Sequence, residues 1–527
     1  MFHGINDPKI IEALSESGIA YIDKDGSICT SDINAKEVSV LADMLRNSTV
    51  AFGGRYLGVY PRIRAVTQSA VTDHIQNSHS SFVSKQKNRG QDSDVGKKLR
   101  RLLEEVTVRG ASDIHIRNII GERTEINIRV NGDFIDLRDQ TAEYGEEILT
   151  YIVMNLAGGS DYSIRGYADH KFTMNLRETE EIDGVEVVVE KESSWRLAQI
   201  PIQGGSKVAI RRVNSGGDVA PTMVQLGIPP GHAREIESLM KSGEGIVLIT
   251  GPTGSGKTTL INSSLQLCPS NRNIHTLEDP VEWGSTARNA VQTQVDESFR
   301  NKDGEKTRGF LANSIRLLRQ DTDVVFFGEI REEESAGQAM RMAETGQLVL
   351  GTLHTNSSIS SVSTLVEQMG VTAAKLSSPG VVRALGHQRL VKRLCQSCCL
   401  DHERALLLAD EHESLRQSIL YNDKLGIDLT SVRYRNPKGC DECDGAGEPG
   451  RTALFELVII DRKCRELIGK MDLNGLVDYL ESLGWPSIRD HGIHKIVNGE
   501  VDVSAVAEKV DGLIPVEVEN IYRNVFK

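Results

Sequence analysis

The sequence predicts an α/β protein built on a parallel sheet with crossover helices. Three observations carry that reading. Short, wholly apolar runs alternate with longer segments of helical spacing across residues 223–393, the pattern of strands buried on both faces. One such run, Ile246-Val247-Leu248-Ile249, leads into the glycine-rich string Gly251-Pro252-Thr253-Gly254-Ser255-Gly256-Lys257-Thr258, and Thr259-Leu260-Ile261 then opens a helix. The composition agrees: 48 glycines in 527 residues with 5% aromatics suit an α/β protein with working loops better than an all-β sandwich.

At roughly 100–200 residues per domain, this length allows two to four domains. Such a chain buries a core without needing a metal or disulfide staple. The 61 basic residues are outnumbered by 74 acidic ones, for a net charge of −13. That balance lacks the basic footprint of a protein that coats nucleic acid, so no direct nucleic-acid partner is expected. The opening MFHGINDPKIIEALSES has neither the basic start nor the apolar stretch of a signal peptide. No apolar run approaches the ~18 residues of a spanning helix. The expectation is a cytoplasmic protein that reaches a membrane only through a partner.

In chain order, residues 1–83 carry no readable motif, and their role is unknown. Residues 84–98, SKQKNRGQDSDVGKK, read as a polar linker, with a solvated helix start as the alternative. Residues 99–217 read as an α+β lobe. Ser112-Asp113-Ile114-His115-Ile116 and Glu125-Ile126-Asn127-Ile128-Arg129-Val130 alternate with period two, and Asn131-Gly132 supplies a hairpin turn. Residues 145–155 have helical spacing, while 185–190 and 207–213 read as strands. The stretch 171–194 is acidic, and Gly216-Gly217 before Pro221 marks the end of the lobe. Residues 218–393 form the α/β domain, 394–450 a cysteine-bearing element, and 451–527 a mostly helical C-terminal region.

The glycine-rich string satisfies G-x-x-x-x-G-K-[ST] in full. Its glycines let backbone N–H groups turn inward around phosphates, and the helix N-terminus adds positive partial charge. Gly251 through Thr259 are therefore the candidate nucleotide-binding residues, with Lys257 on the β/γ-phosphates and Thr258 on Mg²⁺. The implied ligands are ATP and Mg²⁺. About seventy residues beyond Lys257, Asp323-Val324-Val325-Phe326-Phe327-Gly328-Glu329 is a buried strand ending in a carboxylate. Glu329 at that place can orient or deprotonate an attacking water. Gly328 stands where such strands often carry an aspartate. Thr276-Leu277-Glu278-Asp279-Pro280-Val281-Glu282 places further carboxylates at a strand end, and Leu348-Val349-Leu350-Gly351-Thr352-Leu353 ends in His354-Thr355-Asn356. The C-terminal edge of an open α/β sheet is where ligands bind.

These four segments, in this order, resemble the secretion ATPase superfamily of type II secretion and type IV pilus assembly. GPTGSGKTTL looks like its Walker A, LEDPVE its Asp box, LRQDTDVVFFGEIRE its Walker B, and TGQLVLGTLHTNSS its His box. Ala111-Ser112-Asp113-Ile114-His115-Ile116, Arg129-Val130-Asn131-Gly132, Gly450-Arg451-Thr452-Ala453-Leu454-Phe455-Glu456 and Ser487-Ile488-Arg489-Asp490 are similar to flanking family segments, so the resemblance spans about residues 99–510. It implies a RecA-like P-loop domain, preceded by an α+β (PAS-like) N-terminal domain and followed by a zinc-bearing, mostly helical region. It implies a homohexameric motor at the cytoplasmic face of the inner membrane, docked on a platform protein and driving pilus or pseudopilus assembly. It also implies that Glu278 and Glu329 serve hydrolysis, that His354 contacts the γ-phosphate region, and that Arg129, Arg196 and Arg211 reach the nucleotide. Arginine suits that task because its guanidinium forks onto phosphate oxygens. This chain departs from the family pattern at Gln347, where the His box usually has a second histidine, and at Asn131, usually aspartate.

Cys395-x-x-Cys398 and Cys440-x-x-Cys443 can supply four thiolates to a tetrahedral Zn²⁺. The 41 residues between the pairs exceed the spacing of a short zinc ribbon, reduced free thiols are the alternative, and Cys399 is a competing ligand. The family resemblance favours a structural zinc and, with it, assembly over retraction. Three other functions share parts of this pattern: the ATPase of a conjugative secretion system, a DNA translocase on a RecA-like core, and a nucleotide-binding scaffold. Net charge −13 counts against the translocase, and intact Lys257, Thr258 and Glu329 count against the scaffold.

Overall fold

The computed structural model describes residues 10, 20–22, 27–33, 35–48, 57–67, 93–159, 162–182, 185–213, 220–285, 287, 289–296, 307–516 and 518–526. Residues 84–92 of the expected linker and the Gly216-Gly217 boundary lie outside them. The chain divides into two compact units, Met1–Ile128 with Ile135–Ile210, and Arg129–Phe134 with Arg211–Lys527.

The first unit begins with a three-stranded sheet, β1 (Ala20–Ile22), β2 (Ile28–Thr30) and β3 (Ile63–Ala65). The helix Lys36–Asn47 packs Val38, Leu41, Ala42 and Leu45 with Ile22 and Ile28 in one small core. The expected linker is corrected at its end. Residues 94–98 are the first turn of the helix Asp94–Val108, whose N-cap Ser93 Oγ accepts from Gly96 N at 3.0 Å. A capped helix with Leu99, Leu102, Leu103 and Val106 buried outweighs the polar look of that turn.

A six-stranded sheet follows, formed by β4 (Ala111–Ile119), β5 (Arg123–Val130), β6 (Asp133–Thr141), β7 (Ala168–Ile182), β8 (Val185–Ile202) and β9 (Gly205–Val213), in the order β6-β5-β4-β9-β8-β7. Between β5 and β6, Asn131 and Gly132 take φ of 51° and 95°, the two positive values of a tight hairpin turn. Of the acidic stretch 171–194, residues 171–182 and 185–194 belong to the long antiparallel β7–β8 pair, in register from Ala168↔Gln199 to Ile182↔Val185.

The second unit holds a seven-stranded sheet. Its strands are β10 (Gly245–Thr250), β11 (Ile274–Glu278), β12 (Ala290–Gln294), β13 (Val324–Phe327), β14 (Leu348–Leu353), β15 (Val382–Arg393) and β16 (Gly450–Ile459), in the order β12-β11-β13-β14-β10-β15-β16. All pairs are parallel except β15–β16. Period-two alternation sends Ile246, Leu248, Val325 and Phe327 into one core and Val247, Ile249, Val324 and Phe326 into the other. Every residue of β10, β13 and β14 is buried, hence the continuous apolar runs.

Within residues 223–393 every pairing is parallel, as the sequence predicts. The region from 451 does not begin helical: β16 pairs antiparallel along β15 from Ala384↔Ile459 to Arg393↔Gly450. Its residues Thr452–Val458 are buried, so ALFELV is a strand interior and not one face of a helix. The cysteine element is thus a long insertion in the β15–β16 connection. Its core, with Leu400, Leu415, Val432 and Tyr434, is shared with Leu454, Ile496 and Val503 beyond it.

Candidate functional site

Parallel pairing sets the site. Thr250 is in register with Leu353, and Leu277 with Phe327. The residues that follow β10, β11, β13 and β14 therefore gather at one C-terminal edge, bringing together the phosphate loop, Glu278, Glu329 and His354.

Within the loop, Gly251, Gly254 and Gly256 take φ of 146°, 76° and 83°. A Cβ on Gly251 would lie 2.3 Å from the Gln388 carbonyl oxygen, and one on Gly256 2.7 Å from its amide nitrogen. Gln388 Nε2 also donates to Ser255 O at 2.7 Å. Gln388 thus buttresses the loop from β15, a role no motif announces because only the β10–β15 pairing brings it there. Lys257 begins the helix Lys257–Leu265 and is 7% exposed. Its Nζ donates to Gly251 O at 2.9 Å and Pro252 O at 3.0 Å. Burial brings its pKa down to about 8, against the opposing pull of Glu329 and Glu282. The Thr259 hydroxyl accepts from Trp283 Nε1 at 3.3 Å, tying the helix to the chain beyond β11.

Glu278 ends β11 and is 1% exposed. Oε1 accepts from Thr276 Oγ1 at 2.6 Å and Gln292 Nε2 at 3.0 Å. Oε2 is buried with no hydrogen-bond partner among the described residues. Burial raises the Glu278 pKa despite these bonds. Burial and Glu278 also raise that of Glu282, while Arg211 and Lys257 oppose them. An unpartnered buried carboxylate oxygen at the strand edge that carries the phosphate loop is a hard donor of the kind Mg²⁺ takes.

Glu329 follows β13 and has both oxygens engaged: Oε1 lies 3.1 Å from His354 Nε2, and Oε2 accepts from Arg331 Nη2 at 2.5 Å. Burial pushes the Glu329 carboxyl up, but Arg331, His354 and Lys257 together hold it below its ordinary value. His354 is lowered by burial and by Lys257. Arg331 went unmarked in the sequence reading, although it stands two residues past Glu329 in the same motif. Gly328 is fixed by packing: a Cβ there would sit 2.9 Å from Leu277 O and 3.2 Å from Glu278 Cα. A side chain at that point requires β11 and β13 to shift apart.

Gln347 precedes β14 and His354 follows it, so six residues, roughly 20 Å, separate them. Gln347 Nε2 donates to Thr322 O at 3.0 Å and Thr322 Oγ1 at 2.7 Å, away from the phosphate-loop edge. Of the three arginines, Arg211 lies near enough to Glu282 to stabilise its charged form. Arg129 donates to Gly132 O at 2.7 Å and stacks over Phe134, its guanidinium carbon 5.7 Å from the ring centroid. Arg196 belongs to the first unit and pairs with Asp169 at 3.2 Å.

The sulfurs of Cys395, Cys398, Cys440 and Cys443 all lie within 4.8 Å of one another. Cys395–Cys440 and Cys398–Cys443 are 3.8 Å apart, and Cys440–Cys443 3.7 Å. A tetrahedron with Zn–S bonds of about 2.3 Å has edges of about 3.8 Å, so the four thiols fit zinc. Burial pushes the Cys443 thiol up, but N–H bonds from Cys440 at 3.1 Å and Gly447 at 3.2 Å bring it down to about 7. The Cys399 sulfur faces Gln396 O at 3.8 Å and stands outside the group.

Residues 88–510 match the model of the family described as Type II/IV secretion system protein. The chain is 32% identical over 420 residues to type II secretion system protein E of Aeromonas hydrophila, covering 79% of this chain and 75% of the relative. It is 28% identical over 413 residues to the type IV pilus assembly ATPase PilB of Thermus thermophilus, covering 77% of this chain and 42% of that one. Among solved structures, the Legionella pneumophila ATPase DotB matches with a TM-score of 0.53 at 19% identity, over 78% of this chain and 94% of the other. That likeness shows the fold, a RecA-like core in an α/β chain.

Proposed function

We propose, from the premise that this chain belongs to the Type II/IV secretion system protein family and is a secretion or pilus ATPase, that it couples ATP hydrolysis to assembly of a type IV pilus or pseudopilus. The observation that carries the chemistry is the meeting of Lys257, Glu278, Glu329 and His354 at one sheet edge. Gly251–Thr258 wraps the phosphates, and Lys257 meets their charge from a poorly hydrated position. Thr258 and the free oxygen of Glu278 would hold Mg²⁺, which neutralises phosphate charge when bound. Glu329, kept ionised by Arg331, orients the attacking water or takes its proton. His354, bonded to the same carboxylate, contacts the γ-phosphate region. In the same reading Arg129, Arg196 and Arg211 reach the nucleotide.

In this reading the motor is a homohexamer, cytoplasmic and peripheral at the inner membrane, held there by a platform protein. Among the described residues no helix is long and apolar enough to cross a membrane, which is consistent with attachment through a partner. Zinc on the four cysteines is structural, since four thiolates leave no open position for chemistry, and it supports the assembly role.

The test is ATP turnover across gel-filtration fractions, each assayed with and without single-stranded DNA. Activity confined to a hexamer-sized peak and indifferent to DNA supports the reading. Activity in smaller species that rises with DNA replaces it with a translocase.

A further inference from the structure

Glu456 lies on β16, in a segment with no nucleotide motif, and is 3% exposed. Its Oε1 accepts from Ser358 N at 3.0 Å and from Ser358 Oγ at 2.6 Å. Its Oε2 accepts from Ile488 N at 2.9 Å. Ser358 stands four residues past His354, and Ile488 opens the helix Ile488–Val497. One buried carboxylate therefore joins the loop that carries His354 to the first turn of a helix in the C-terminal region.

The loop is tied at a second point. Thr250, the last residue before the phosphate loop, donates to Ser357 O at 3.4 Å, and Thr355 Oγ1 donates to the same oxygen at 2.8 Å. The position of His354, 3.1 Å from Glu329, is thus set between β10 on one side and Glu456 on the other. A buried carboxylate holding three donors is a stiff link, because losing any of them leaves polar atoms unpaired in a poor solvent.

We propose that Glu456 is a positioning residue for hydrolysis, fixing the loop that aims His354 at Glu329 and tying that loop to the helix Ile488–Val497. The proposal rests on the reading of Glu329 and His354 as the hydrolytic pair. A shift of about 1 Å at such a pair costs up to ~10²-fold in rate.

The experiment measures steady-state ATP turnover of the full chain carrying Glu456→Gln, Ser358→Ala, His354→Ala, or Glu456→Gln with His354→Ala. Glu456→Gln and Ser358→Ala should each lower kcat by roughly 10-fold or more with KM within about 2-fold. In the His354→Ala background Glu456→Gln should cost less than about 2-fold more, since it acts through the residue already removed. Losses that multiply in the double variant, or a raised KM at unchanged kcat, overturn the proposal. An impaired His354→Ala beside a fully active Glu456→Gln overturns the assignment of Glu456 alone. A fully active His354→Ala overturns the hydrolytic reading and this proposal with it. Ser358→Ala removes one hydroxyl and leaves the Ile488 contact, so it decides the matter if Glu456→Gln does not fold.

Discussion

His354 Nε2 lies 3.1 Å from Glu329 Oε1 while Arg331 binds the other oxygen of the same carboxylate at 2.5 Å. Burial alone would favour a neutral Glu329, and these neighbours reverse that preference. The carboxylate is thereby ready as a base across the physiological range. Glu329→Gln keeps the shape and removes the base. It should lower ATP turnover by at least ~10²-fold with ATP affinity within about 3-fold, as hydrolysis and equilibrium binding measured side by side would show. Normal turnover by this variant would remove Glu329 from the mechanism.

Arg331 should act through pH. With it removed, the largest influence opposing burial at the Glu329 carboxyl is lost and its pKa rises. A base with a raised pKa is protonated at higher pH, so the acid limb of kcat in Arg331→Ala should move upward from that of the parent chain. A pH–rate profile of the two proteins reads this directly, and coincident acid limbs would show that Arg331 does not tune the base.

Lys257 carries a second pH signature. Burial lowers its pKa to about 8 from an ordinary 10.5. Polyphosphate binds the protonated lysine, so above pH 8 binding must first take up a proton. ATP affinity should weaken as pH rises from about 8 to 10 in the parent chain. In Lys257→Ala affinity should be low throughout without that slope, with hydrolysis abolished and the fold retained in circular dichroism. Calorimetric titration in buffers of different ionisation heat would count the proton.

The glycine loop and the apolar strands were legible in sequence because a buried parallel strand and a phosphate loop each leave a continuous local pattern. Glu278, Glu329 and His354 were legible as strand-end residues for the same reason. What joins them was not. Gln388 reaches the loop from a strand far along the chain, and Arg331 acts through a side-chain direction that spacing does not encode. Gln347 misleads in the opposite way. It shares a motif with His354, yet a strand rise of about 3.3 Å per residue puts it at the other end of β14. The strand character of β16 was hidden because Glu456 interrupts its apolar run and Thr452–Val458 shows no period-two alternation.

Gly328 tests how tightly β11 and β13 converge. The added methyl of Gly328→Ala would meet Leu277 O at 2.9 Å, backbone that cannot turn aside. Overpacking of this kind costs about 1–3 kcal/mol. The shift would fall on Glu278 and Glu329 together, so the variant should lose both melting temperature and turnover. A fully active Gly328→Asp would mean that the strand ends are looser than this packing requires.

The cysteine cluster makes a prediction that separates neighbouring thiols. Four sulfurs at tetrahedral spacing should bind one zinc per chain, while Cys399, turned toward Gln396 O, should bind none. Metal analysis should therefore find zinc retained in Cys399→Ser and lost in Cys443→Ser. The cluster closes the base of an insertion whose core is shared with Ile496 and Val503, so removing zinc should loosen more than the knuckles. Hydrogen exchange after chelation should speed up across residues 394–449 and the helices Ile488–Val497 and Val503–Lys509. It should stay unchanged in β10 and β13, which pack in the other cores. Zinc near zero in a fully folded preparation, or exchange unaltered by chelation, would leave the four cysteines as ordinary thiols.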